Sequence, residues 1–275
     1  MKSLKKMKFK TKKELFDWMV TNKDFLIAQK INGEMKRADA FHAPILADET
    51  EGEAQKANKP VNEDVTELKV KAVINTTNLM DGHQDVHIPG LWTKTLKENK
   101  RVMHLQEHEM KFDHIISDKS DLKAYTQTMT WKELGYNFEG QTEALIFDSN
   151  VKATRNKYMF DEYKAGNVDN HSVGMRYVKI DMAINDKDYQ TEFKVWEKYI
   201  DQVANRKQAE ELGYFWAVTE ARLVEGSAVP AGSNWITPTL ENNMKQEPTE
   251  VTPEPPVKAL TSEEIIQRIH KHFNK

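Results

Sequence analysis

HSVGMRYVKIDMAI, residues 171–184, has the alternating pattern of a β-strand, in which successive side chains point to opposite faces. On this pattern Val173 and Met175 face the core, whereas Ser172 faces outward beside Gly174, which has no side chain. A glycine at that position would let a substrate backbone come close to the serine. The stretch therefore predicts a strand with an outward-facing serine.

Further strands are predicted on both sides of this stretch. Strand-type patterns occur at LKVKAVINTT (68–77), ALIFDSNV (144–151) and FWAVTEARLVEGSAV (215–229), with turn residues between them. The first of these follows a polar, charged stretch, so the folded domain is expected to begin near residue 65.

Two core helices are predicted between these strands. In NKYMFDEYKAG (156–166), residues Tyr158, Met159 and Tyr163 recur at helical spacing, and Gly166 provides a left-handed C-cap. A second helix is predicted over 193–212, with an apolar stripe formed by Trp196, Tyr199, Ile200 and Val203. Strands and helices together predict an α+β fold.

The composition narrows the possible functions. The net charge of the 275 residues is only -3, which gives no overall field favouring nucleic acid or acidic lipid. The chain has no cysteine, which excludes disulfides, a thiol nucleophile and thiolate metal sites. It has no run of about 18 apolar residues and no apolar leader, so we expect a soluble, cytoplasmic protein without a membrane partner.

Four segments are predicted along the chain. An N-terminal extension, 1–64, begins with a short helix and becomes a charged linker, and the main domain occupies 65–240. A linker rich in Pro and Glu covers 241–260, and 261–275 form an amphipathic helix. Both extensions are expected to be flexible.

Two groups of residues could act with Ser172. Glu225 lies among apolar residues of the 215–229 strand, where a carboxylate is costly to bury without a hydrogen-bond partner. Its partner is either an arginine or backbone amides, or a histidine whose ring it orients. The segment 103–114 offers His104, His108 and His114, and the residues alone do not select one of them.

Four blocks follow one another along the chain: DGHQDVHIPGLWTKTL (81–96), MHLQEHEMKFDH (103–114), NHSVGM (170–175) and RLVEGSAVPAGSN (222–234). In this order they resemble the tailed-phage prohead (capsid-maturation) serine proteases, which are distantly related to the herpesvirus assemblins. The resemblance covers most of residues 70–240. Two features depart from the family pattern: a charged insert at about 183–212, and a loosened loop at 230–234.

The resemblance implies a serine endopeptidase with His108 as base, Ser172 as nucleophile and Glu225 as the orienting acid. It implies a small, mostly antiparallel β-barrel surrounded by helices, with Ser172 and His108 on neighbouring strands, and no metal or organic cofactor. The implied substrates are the scaffold protein, the major capsid protein and the chain's own tails, cleaved inside the assembling prohead in the host cytoplasm. The portal and a homo-oligomer are further candidate partners, and nucleic acid is not.

The residues are also compatible with two alternatives. His104-x-x-Glu107-His108 matches the inverted zinc-protease pattern, in which two histidines one helical turn apart bind zinc and the glutamate acts as base. The other alternative is a scaffold or capsid-assembly protein that has the same fold and no catalytic activity.

Overall fold

A computed structural model describes residues 9–32, 65–99 and 101–244, which belong to one compact unit. Within these ranges six α-helices and nine strands form a mixed α+β fold, as predicted. The helices are α1 (Lys12–Thr21), α2 (Lys23–Asn32), α3 (Thr93–Glu98), α4 (Lys157–Ala165), α5 (Gln190–Tyr199) and α6 (Arg206–Leu212). The strands are β1 (Glu67–Thr76), β2 (Asp85–His87), β3 (Met103–Gln106), β4 (Ile115–Asp118), β5 (Leu122–Thr130), β6 (Gln141–Lys152), β7 (His171–Ile184), β8 (Tyr214–Ala228) and β9 (Thr239–Met244).

The strands form two sheets. In the first sheet the order is β5-β6-β1-β9, and every pair is antiparallel. In the second sheet β8 is the central strand, with β7 antiparallel along one side. On its other side β8 pairs in parallel with β2 near its start and with β3 near its end, and β3 also pairs with β4. The C-terminal ends of β3 and β8 therefore meet the N-terminal end of β7.

An apolar core contains residues of both sheets. It includes Ile74 and Phe147 from the first sheet and Val173 and Leu223 from the second, all buried. Val173, Met175 and Tyr177 are buried, as the alternation predicts. No closed barrel is found over the described ranges, so the barrel of the expected fold stays a prediction.

The two N-terminal helices belong to this core. Phe16, Met19 and Leu26 are each less than 5% exposed and lie in the same cluster as the strands of the second sheet. Lys30 of α2 also forms an ion pair with the buried Asp85. Helices α1 and α2 therefore pack on the strands that follow the boundary predicted at residue 65.

The C-terminal boundary also differs from the prediction. β9 pairs with β1 as far as Met244, four residues beyond the predicted end of the domain at 240. The predicted charged linker up to residue 64, the rest of the linker at 241–260 and the helix at 261–275 lie outside the described residues.

The predicted helices are partly confirmed. α4 ends at Gly166, whose φ of 75° is left-handed, as expected for a C-cap. Tyr158, however, is 60% exposed and is not a core residue. None of the described helices is long and apolar enough to span a membrane.

The single helix predicted at 193–212 is wrong, because the chain turns between α5 and α6. A 3-10 turn, Ile200–Gln202, follows α5. The Asn205 side chain then bonds both backbone groups of Met80, and the Ala204 amide bonds Asn78 O. These tertiary hydrogen bonds replace helical ones. The predicted stripe is nevertheless buried.

Candidate active site

Glu225 lies at the centre of the site and is fully buried on β8. Its Oε1 lies 2.7 Å from His108 Nδ1, and its Oε2 lies 2.5 Å from Ser227 Oγ. Both carboxylate oxygens therefore have partners, which offsets much of the cost of removing the group from water. Of the two kinds of partner considered from the sequence, the structure has the histidine.

His108 reaches Glu225 because the chain turns sharply after β3. Glu107 and His108 have left-handed backbones, with φ of 53° and 60°. Glu107 N donates to Ala228 O at 3.0 Å, and His108 N donates to Ser227 Oγ at 3.1 Å. His108 Nε2 is buried and has no hydrogen-bond partner among the described residues.

Ser172 lies on β7, directly opposite Ser227 of β8. Side chains of residues opposed in an antiparallel pair share a face of the sheet, so Ser172 lies on the face that carries Ser227 and Glu225. β8 lies between Ser172 and the His108 turn, so the two residues are not on neighbouring strands, contrary to expectation.

The prediction of an outward-facing Ser172 is wrong in one respect, since the residue is only 6% exposed. Its hydroxyl forms no hydrogen bond with the described part of the chain, including His108 Nε2. The structure therefore brings His108 and Glu225 into contact and places Ser172 on the same face. It does not join the three in one hydrogen-bonded chain.

Gly174 does not have the predicted role of admitting a substrate backbone. It lies opposite Glu225 in the β7–β8 register, and a Cβ at position 174 would lie 1.9 Å from Glu225 Oε1. The Glu225 carboxylate thus occupies the space that a side chain at position 174 would need.

A second network of buried, hydrogen-bonded side chains lies next to the site. Tyr163 Oη lies 3.2 Å from His104 Nε2 and 2.9 Å from His171 Nε2, while Ser149 Oγ contacts His104 Nδ1 and Thr237 O contacts His171 Nδ1. Because Thr237 O can only accept, His171 Nδ1 donates to it, and His171 Nε2 accepts from Tyr163. The tyrosine oxygen then accepts from His104 Nε2, and Ser149 donates to His104 Nδ1.

In this arrangement both histidines are neutral. Burial lowers the pKa of His171 to about 4, and burial followed by the charge of His171 lowers the pKa of His104 well below its usual value. Burial also raises the pKa of Tyr163 well above its usual value. Every ring nitrogen of the two histidines and the tyrosine hydroxyl has a hydrogen-bond partner, so we assign this network a structural role.

The zinc alternative does not match this geometry. His104 lies on β3 and not on a helix, and both of its ring nitrogens are hydrogen-bonded. Glu107 and His108 lie in the left-handed turn, so the pattern lacks the helical spacing that the zinc site requires.

The loosened loop at 230–234 is anchored beside β7. Asn234 is buried and bonds Thr76 through both its side-chain oxygen and its side-chain nitrogen. A Cβ on Gly232 would lie 2.8 Å from His171 O, so the loop packs directly against the start of β7.

Sequence reasoning assigned no role to Ser227, which contacts both Glu225 and His108. Its spacing of two residues from Glu225 on one strand was the available signal. His114, the third histidine considered from the sequence, lies in a separate 3-10 turn, Phe112–His114.

Comparisons with protein-family models, with curated proteins and with solved structures found no match. The prohead-protease resemblance stays a prediction from the four sequence blocks.

Proposed function

We propose that this chain is a serine endopeptidase of the prohead-protease type, with Ser172 as nucleophile, His108 as general base and Glu225 as the group that orients the base. One observation carries the proposal: Glu225 Oε1 lies 2.7 Å from His108 Nδ1. This contact leaves the buried Nε2 without a partner in the described ranges. A carboxylate that fixes one imidazole nitrogen and leaves the other as a base is the arrangement used in serine hydrolases.

The reaction follows from these groups. Ser172 Oγ attacks the peptide carbonyl carbon while its proton passes to His108 Nε2. The carbon–nitrogen bond then breaks, the amine leaves with the proton from Nε2, and an acyl-enzyme remains. Water attacks the ester with His108 again as base, which releases the acid and restores Ser172. No metal or organic cofactor enters these steps.

The proposal requires Ser172 Oγ and His108 Nε2 to come within hydrogen-bond distance when substrate binds. Catalytic hydrogen bonds are often long or unformed in unliganded enzymes and form in the substrate complex. The hydroxyl and Nε2 have no other partner among the described residues, so neither must break a hydrogen bond to meet the other.

The substrates and setting come from the sequence resemblance. They are the scaffold protein, the major capsid protein and the chain's own tails, cleaved within the prohead, with the portal or a second copy of the chain as further partners. The barrel-like closure of the two sheets is part of the same proposal.

A second candidate is an assembly protein with this fold and no activity. The absence of a Ser172–His108 hydrogen bond from the described contacts favours it. The test is incubation of the purified full chain with scaffold protein and with a serine-directed phosphonate. Cleavage together with labelling of Ser172 supports the protease, and absence of both supports the assembly protein.

A further inference from the structure

Ser227 connects the two parts of the candidate site. It is fully buried on β8, and its Oγ lies 2.5 Å from Glu225 Oε2 and 3.1 Å from the backbone nitrogen of His108. Glu225 Oε1 in turn contacts the ring of the same histidine. The three residues therefore form a closed ring of hydrogen bonds.

The donors and acceptors of this ring can be assigned. The backbone N–H of His108 can only donate, so Ser227 Oγ accepts from it. The hydroxyl hydrogen of Ser227 is then directed to Glu225 Oε2. With Glu225 as a carboxylate and His108 as a neutral imidazole, Oε1 accepts the hydrogen of His108 Nδ1, and the lone pair of the ring lies on Nε2.

The same hydroxyl also supports an unusual backbone. His108 has a φ of 60°, which few residues other than glycine adopt, and the preceding Glu107 is left-handed as well. The hydrogen bond from His108 N to Ser227 Oγ is made in this conformation. Loss of the hydroxyl would leave a buried N–H and a buried carboxylate oxygen without that partner.

We propose that Ser227 is a positioning residue that fixes His108 in the Nδ1–H tautomer and holds its ring against Glu225. The catalytic consequence rests on the proposed protease function. The tautomer itself does not, since it depends only on the three residues of the ring.

The first test is spectroscopic and needs no activity. In the full chain labelled with ¹⁵N-histidine, His108 in the wild type is expected to show the Nδ1–H tautomer. Ser227→Ala should give a mixture of tautomers. Ser149→Ala is the matched control, because it removes another buried serine that bonds a histidine, His104, outside this ring. A wild-type His108 protonated on Nε2, or an unchanged His108 in Ser227→Ala, would overturn the proposal.

The second test is kinetic. Ser227→Ala should lower kcat by about 10- to 100-fold, the range for loss of a hydrogen bond to a charged group, with little change in KM. Thr and Val have nearly the same shape and differ in having a hydroxyl or a methyl group on Cβ, so of Ser227→Thr and Ser227→Val only Thr should restore kcat. Equal kcat values for Thr and Val would overturn the positioning role. If the wild type shows the expected tautomer and Ser227→Ala alters it, yet the wild type cleaves nothing, the protease proposal fails and the role of Ser227 stands.

Discussion

Gly174 and Glu225 lie opposite one another in the β7–β8 pair, and the Glu225 carboxylate fills the space where a side chain at position 174 would begin. A Cβ there would lie 1.9 Å from Oε1 and 2.7 Å from Cδ. The contact fixes the carboxylate from the side facing β7, while His108 and Ser227 hold its two oxygens.

Gly174→Ala should therefore displace Glu225 from His108. We expect a loss of about 1–3 kcal/mol in the free energy of unfolding, as for other overpacked sites, and a fall of at least about 10-fold in kcat. Urea unfolding and cleavage assays measure the two effects. Gly140→Ala is the control, since apart from its chain neighbours no atom lies within 4 Å of its added Cβ, and the only strain is that of its positive φ of 90°. Normal activity in Gly174→Ala would show that Glu225 need not occupy this space.

Ser172→Ala separates catalysis from stability. It should abolish cleavage and phosphonate labelling, and it should change the free energy of unfolding by less than about 1 kcal/mol. The reason is that the hydroxyl has no hydrogen bond to lose within the described residues. Full activity on an assembly substrate would refute the proposed function.

Glu225→Gln tests the orienting acid. The amide keeps the size of the side chain but cannot accept from both Ser227 and His108 as the carboxylate does. We expect a folded protein with kcat lowered by as much as about 10⁴-fold, by analogy with the triad aspartate. Near-normal turnover would remove Glu225 from the mechanism.

The buried histidine network predicts acid sensitivity. The pKa of His171 is about 4 in the folded protein and near its ordinary value of 6.5 in the unfolded chain, which therefore binds more protons between these values. The contribution of the neutral His171 to the free energy of unfolding is complete above about pH 6.5 and is lost as the pH falls through about 4. From pH 7 to about 4.5, urea unfolding should show a decrease of about 2–3 kcal/mol from His171 alone.

His171→Gln is the matched variant for this measurement, since its side chain does not titrate. Its stability should depend less steeply on pH than that of the wild type across the same range. An equal slope in both proteins would mean that His171 is not held neutral by the fold.

The N-terminal helices are predicted to contribute to stability. Phe16→Ala should cost about 3–5 kcal/mol, because Phe16 is 3% exposed in the main core. Phe25→Ala in α2 is the matched control: its side chain is 37% exposed, and we expect a loss below about 1 kcal/mol. Similar losses in the two variants would argue against the packing of α1 on the sheets.

The secondary structure near the site could be predicted from local sequence. The bounds of β7 match the predicted strand at 171–184, and those of β8 differ by one residue at each end from 215–229. α4 and its cap at Gly166 also follow the prediction. These features depend on side-chain alternation, helical spacing and glycine backbone freedom, all of which act over a few neighbouring residues.

The contacts within the site depended on tertiary structure. His108 and Glu225 are 117 residues apart in the chain, and the residues alone did not distinguish His108 from His104 and His114. Only the parallel pairing of β3 with β8 sets the His108 turn against Glu225.

The sequence by itself determined the strands that carry Ser172 and Glu225 and the side chains available for chemistry. Tertiary structure alone decided that Ser172 is buried, that Gly174 makes room for a carboxylate and that Ser227 completes the hydrogen-bonded ring. The physical reason is that alternation fixes the face on which a side chain lies. What covers that face, and which hydrogen bonds are made there, depend on segments that are distant in the chain.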